Sequence, residues 1–185
     1  MEISQEMVLK EHSVMETSRC LLRKITLDDV DDMYDYCSMK EVSRYTKFIA
    51  HQSKEETYTV IEQIFIPEQL TKWGIELKET NKLIGTIDFM SIDKDCATIG
   101  YALSKKYWGQ GIVPEVAERL LQLSFEELDL KVVYATHLKD NLNSGKVMQK
   151  IGMKKIGTDY YFNFKDKPLV ETMKYAITFE DYFKR

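Results

Sequence analysis

Residues 98–128 read TIGYALSKKYWGQGIVPEVAERLLQLSFEEL, and this stretch decides the fold. Ala97 to Ser104 are apolar, small and aromatic, the composition of a buried strand. Lys105-Lys106-Tyr107-Trp108 forms a short loop that leads into Gly109-Gln110-Gly111. From Val113 the period turns helical: Val113, Val116, Ala117, Leu120, Leu121, Ser124 and Leu128 share one face. Pro114 falls in the first turn, where its missing N–H costs nothing. The unit is strand, glycine turn, helix.

Such a unit has a chemical use. A helix start offers unpaired N–H groups and a partial positive charge. Glycines without Cβ let an anion approach the backbone, so a phosphate-bearing ligand suits the turn. On these residues alone, Gly-x-Gly is equally readable as a tight strand-to-helix connection.

Composition limits the rest. The chain has 185 residues, 44% hydrophobic and 30% charged, which fits one soluble domain with a full core. A formal charge of −4 argues against nucleic acid as the main partner. Cys20, Cys37 and Cys96 are an odd, widely spaced set without CxxC, so we expect a reducing, cytoplasmic setting and no disulfide framework. His12, His51 and His137 stand apart from one another and from any cysteine pair, and no metal site is expected. No signal peptide opens the chain, and no run approaches the ~18 apolar residues of a membrane span.

Working outward, Thr17 to Lys24 reads as a first strand, and Leu27 to Ser38 as a helix with acids in its first turn. Ser53-Lys-Glu-Glu56 is a capping box opening a second helix. Lys72 to Glu79 and Leu83 to Ile92 read as a strand pair turning at Thr80-Asn81-Lys82. After the long helix, Lys131 to Leu138 reads as a strand. Asp140 to Ser144 precedes a short helix, Gly145 to Ile151, stopped by Gly152. Lys154 to Phe164 and Leu169 to Phe179 close as an antiparallel pair. Met1 to Glu16 shows no period. The order β-αα-βββ-α-β-α-ββ implies an α+β fold with a mixed sheet.

Two pieces, IGYALSKKYWGQGIVPEVAERLL and DNLNSGKVMQKIGMKKIG, resemble the GNAT superfamily of N-acetyltransferases. With ETSRCLLRKITLDD near the start, the chain is similar to the Rim-type branch that acetylates ribosomal-protein N-termini. The resemblance runs from about Glu16 to about Ile177. It implies a mostly antiparallel sheet splayed at the cofactor site and flanked by about four helices. It also implies a single N-acetyltransferase domain over residues 16–185, after a tail or extra segment at 1–15. The implied reaction is acetyl transfer from acetyl-CoA to an amine. Family members hold the CoA diphosphate on loop N–H groups, here those of Trp108, Gly109, Gln110, Gly111, Ile112 and Val113. The pantetheine arm runs beside Tyr101, Ala102 and Leu103 as an added strand would. By the same resemblance Asn141 contacts CoA and the Ser144 hydroxyl lies near the thioester sulfur, as an acid for the leaving thiolate. Lys146 approaches the phosphates on grounds of charge and position.

The chain departs from the family pattern in places. Trp108 and Val113 stand at the outer positions of the loop motif, and Thr98 stands where a glutamate often precedes Ile-Gly-Tyr. No general base carries over from that position. Asp88, Glu76 and Tyr160 remain as candidate bases acting through water, each of which also reads as a structural residue. Asn141 and Ser144 equally suit a helix cap. An α-amine, with a pKa of about 8, is roughly a tenth neutral at pH 7, whereas a lysine at about 10.4 is neutral about once in 2,500 molecules. With no strong base in view, an N-terminal amine or a small-molecule amine is the expected acceptor, a protein N-terminus first. Rival readings are small amines (polyamines, aminoglycosides or amino acids) drawn to Asp31, Asp32, Asp35, Glu55 and Glu56, and a CoA-binding sensor without catalysis. A Rossmann site is disfavoured because Pro114 replaces the third glycine. Exposed strand edges permit a homodimer as well as a monomer.

Overall fold

The computed structural model describes residues 3–185; the first two residues of the N-terminal segment lie outside them. The quoted stretch folds as strand β5 (Cys96–Leu103) and helix α5 (Ile112–Gln122), which continues as a π-helical turn over Leu123–Glu127. From β5 the sheet extends back through β4 (Lys82–Ile92), β3 (Lys72–Leu77), β2 (Cys20–Arg23) and the short β1 (Met15–Glu16). On the other side it continues through β6 (Val132–Leu138), β8 (Lys167–Thr178) and β7 (Lys154–Phe164). The order is β1-β2-β3-β4-β5-β6-β8-β7. Every neighbouring pair is antiparallel except β5–β6, which α5 connects as a crossover. The mixed, mostly antiparallel sheet is the one the sequence implied.

Alternation along the strands sends apolar side chains to both faces. On one face Trp73, Ile75, Ile87, Phe89, Ile99 and Leu103 pack with Leu120 and Leu121 of α5 and Met148 of α6 (Leu142–Lys150). Burying each such leucine contributes about 1.5–3 kcal/mol. On the opposite face Ile25 and Leu83 meet Met33, Tyr36 and Cys37 of α2 (Val30–Cys37), Val42 of α3 (Lys40–Ser43) and Ile61 at the end of α4 (Lys54–Val60). The sheet is therefore covered on both sides.

The described residues hold seven α-helical segments where about four were expected. The additions escaped the sequence for physical reasons. α1 (Ile3–Glu11) buries Leu9 while Met7 stays exposed, so it carries no apolar stripe. It is tied down instead by the Gln5 amide, which donates to Lys94 and Leu128 carbonyls. α3 is a single turn. α7 (Phe179–Lys184) is aromatic enough to read as the tail of a strand, but the Thr178 hydroxyl accepts from the Asp181 N–H and starts a helix. Cys20, Cys37 and Cys96 are unbridged. Among the described residues no helix is long and apolar enough to cross a membrane, and no three His, Cys, Asp or Glu side chains converge as a metal site.

Candidate active site

The parallel junction is short. β5 and β6 pair only where Cys96, Ala97 and Thr98 meet Val132, Val133 and Tyr134. Beyond this, β5 keeps only β4 as a neighbour and β6 keeps only β8, so a gap opens along Ile99–Leu103. The Ser104 N–H donates to Ile84 on β4 at 2.8 Å, and successive peptide groups alternate sides, so the polar groups of Leu103 and Tyr101 face the gap. The Leu103 carbonyl there accepts from the Trp108 indole at 2.8 Å, which fastens the loop to the strand end. Its N–H points to the same side. An extended ligand in the gap would find strand-like partners on β5.

The glycine loop closes one end of this gap. Gly109 and Gly111 have φ of 76° and 77°, the left-handed region in which a Cβ is strained. Gly111 is the N-cap of α5 and supplies no side-chain acceptor, so the helix start keeps free N–H groups. Arg19 fixes the loop from the start of β2: its Nη1 donates to the Gln110 carbonyl at 2.8 Å and its Nε to Glu115 at 2.6 Å. Burial alone would raise the Glu115 carboxyl, but hydrogen bonds from Thr17 and Arg19 outweigh it and hold it below the ordinary range. A side-chain atom at Gly111 would stand 3.6 Å from Arg19 Nη2 and 3.9 Å from Lys150 Nζ. Bare N–H groups flanked by two cations form a donor set that fits a diphosphate.

α6 forms the other wall. Asn141 Oδ1 accepts from the Ser144 N–H at 3.3 Å, so Asn141 is the cap. Ser144 turns its hydroxyl away from the helix end to meet the Tyr101 phenol at 2.6 Å. Burial pushes that phenol up to about 12, against the pull of the Ser144 hydrogen bond. Behind Ser144, a Cβ on Gly145 would lie 2.8 Å from His137 Nε2. Only glycine lets α6 sit this low on β6. His137 donates from Nδ1 to the Leu138 carbonyl at 2.8 Å, and its buried Nε2 has no partner. Lys146 lies exposed on α6.

The three candidate bases separate. Asp88 lies opposite Gly100 of β5, where a Cβ would come within 2.8 Å of its Oδ1, so its carboxylate reaches the strand that borders the gap. Burial raises the Asp88 carboxyl, while Lys72 at 2.9 Å draws it back. Glu76 lies on β3, two strands from β5, and is engaged with Arg23, which also holds Asp29. Tyr160 is half exposed on β7, three strands beyond β5. The structure thus brings Tyr101, Ala102, Leu103, the 108–113 loop, Asn141 and Ser144 to one gap, with Asp88 beside it, and leaves Glu76 and Tyr160 away from it. The sequence reading missed Arg19 and Lys150. Lys150 could have been found, four residues beyond Lys146 on the same helix face.

Known proteins share this architecture. Residues 19–154 match the model of the acetyltransferase (GNAT) domain. YoaA of Bacillus subtilis (strain 168), described as an uncharacterized N-acetyltransferase, is 29% identical over 169 residues, 89% of this chain and 96% of its own. The N-acetyltransferase p20 of Bacillus licheniformis, likewise described as uncharacterized, is 32% identical over 146 residues, 76% of this chain and 82% of its own. A crystal structure of a GNAT-family acetyltransferase from Bacillus anthracis superposes with a TM-score of 0.79 at 26% identity, covering 90% of this chain and 99% of that one. With a strand gap, a glycine turn and a capped helix in the order this family uses, the chain belongs to the GNAT acetyltransferases, and acetyl-CoA is its acyl donor.

Proposed function

We propose that the protein acetylates the α-amino group of a protein N-terminus, of the ribosomal-protein kind and in the cytoplasm, by direct attack with donor and acceptor bound together. The observation that carries this reading is the environment of the carboxylates. Asp88 is the one candidate carboxylate beside the gap, and it is already shared with Lys72. A carboxylate that burial raises and Lys72 draws back, acting through water, suits an α-amine, which needs little help, better than a lysine. Of the acids that would have drawn a polycation, Asp31 pairs at the surface with Lys54 at 2.8 Å, and Asp32 accepts from the Leu83 N–H at 3.0 Å.

The roles follow from position. The loop N–H groups from Trp108 to Val113 hold the diphosphate, with Arg19, Lys146 and Lys150 adding charge. Asn141 contributes to the same cofactor wall. Tyr101, Ala102 and Leu103 orient the pantetheine arm along β5. The Leu103 N–H faces the carbonyl oxygen as it gains charge, a donor worth on the order of 3 kcal/mol. The Ser144 hydroxyl protonates the departing thiolate. Glu76 and Tyr160 take no chemical part.

The test is to follow thiol release while offering ribosomal-protein N-terminal peptides, peptides with a blocked N-terminus and an internal lysine, polyamines and aminoglycosides. The expected result is turnover of the free N-termini alone. Equal rates on internal lysine, or turnover confined to small amines, would overturn the reading.

A further inference from the structure

Lys72, Asp88 and Gly100 form one row across three strands: Lys72 of β3 pairs in register with Asp88 of β4, and Asp88 with Gly100 of β5. The row ends on the part of β5 that borders the gap. The two carboxylate oxygens of Asp88 have different surroundings. Oδ2 accepts from Lys72 Nζ at 2.9 Å. Oδ1 lies over β5, where a Cβ at position 100 would stand 2.8 Å from it and 2.8 Å from Met90 Sδ. Glycine at this position leaves the room that Oδ1 reaches into.

Lys72 has a second partner. Its Nζ also meets the Glu68 carboxylate at 3.2 Å, four residues back in the chain. The turn that carries Glu68 is fastened to the sheet: the Thr71 N–H donates to the Glu68 carbonyl at 3.1 Å, and the Thr71 carbonyl accepts from the Phe89 N–H at 2.9 Å. Charge therefore alternates inward from an exposed Glu68 to Lys72, 13% exposed, and Asp88, 22% exposed. Burial would lower the Lys72 ammonium, but Asp88 and Glu68 outweigh it and hold it above its ordinary value. For Asp88, burial raises the carboxyl, Lys72 draws it back, and Glu68 pushes it upward again. Among the described residues, Lys72 and Glu68 are the charged groups that bear on Asp88.

We propose that Lys72 is a positioning residue for acetyl transfer: it turns Asp88 Oδ1 toward β5 and, steadied by Glu68, keeps that carboxylate charged while the acceptor is bound. This rests on Asp88 being the base of the proposed reaction. The acceptor ammonium gives one proton through water to Oδ1, and its freed lone pair attacks the thioester carbonyl. Lys72 touches neither acceptor nor cofactor in this step and acts only through Asp88. A cation at hydrogen-bonding distance favours the charged carboxylate. Holding Oδ2 in place leaves Oδ1 as the oxygen that meets the water.

The experiment records kcat/KM against pH for the wild type, Lys72→Met, Lys72→Arg, Glu68→Gln and Asp88→Asn, with acetyl-CoA and whichever amine of the panel above turns over. Carboxyl carbon NMR of the substrate-free proteins follows the Asp88 titration beside it. Lys72→Met keeps the stem and drops the charge. It should move the acid limb and the Asp88 titration up together by about one pH unit, so that the rate falls about ten-fold below the limb and recovers at high pH. Lys72→Arg should bring both back, and Glu68→Gln should move both slightly down. An unmoved Asp88 titration in Lys72→Met overturns the inference, and so does a rate lowered equally at every pH, the mark of a merely structural residue. Survival of the limb in Asp88→Asn overturns Asp88 as the base, and the inference with it. Loss of the limb there, with no shift in Lys72→Met, overturns the inference alone.

Discussion

The Tyr101 phenol and the Ser144 hydroxyl meet at 2.6 Å, joining β5 to α6 across the gap between β5 and β6. A serine bonded to a buried phenol is oriented before any substrate arrives, and a general acid at that point contributes about 10²-fold or more. Ser144→Ala should lower kcat by that order and change CoA affinity less than about three-fold. Steady-state rates beside calorimetry with CoA decide it. An unchanged kcat would leave Ser144 as an anchor only.

Gly109→Ala isolates backbone strain. No atom stands within 4 Å of the new methyl, yet φ is 76°. The strain is about 1–2 kcal/mol. If the loop N–H groups hold the diphosphate, the Kd for CoA should rise about ten-fold with little change in kcat. Titration calorimetry measures this directly.

Gly145→Ala sets two effects against each other. Alanine in a helix gains about 1 kcal/mol over glycine. The methyl would stand 2.8 Å from His137 Nε2, and overpacking of this kind costs about 1–3 kcal/mol. The expected net result is lower stability in urea unfolding, together with a reduced kcat as α6 lifts and carries Ser144 away from Tyr101.

Asp88 should set the acid side of the pH profile. Burial raises its carboxyl, so the basic form is lost as pH falls through that raised value, above the ordinary carboxylate range of about 4. Asp88→Asn should cut kcat/KM about 10²-fold and remove that limb. The folded chain also binds this proton more tightly than the unfolded one. Asp88 therefore contributes stability that is present when protonated and fades as pH rises through the same window. Denaturation of both variants across pH reads this second slope.

The strand-turn-helix unit was legible because its periods change within a few residues and Pro114 and the two glycines mark the switch. Asn141 and Ser144 were legible as helix-start residues, but capping and cofactor contact ask for the same side chains. The structure divides the tasks: Asn141 caps, and Ser144 faces Tyr101. Arg19 was invisible because its partners, Gln110 and Glu115, lie more than ninety residues away. Glu76 read as a free carboxylate for the opposite reason, since its neutralising partner Arg23 lies on another strand.

The short junction between β5 and β6 has a mechanical consequence. Two half-sheets share three rungs, and a molecule lying in the wedge between them supplies missing ones. If the acyl donor lies there, it is a structural staple as well as a reactant. At a hundred times its Kd it should add about 2.7 kcal/mol to unfolding, and hydrogen exchange at the Tyr101 and Leu103 amides should slow sharply on its addition.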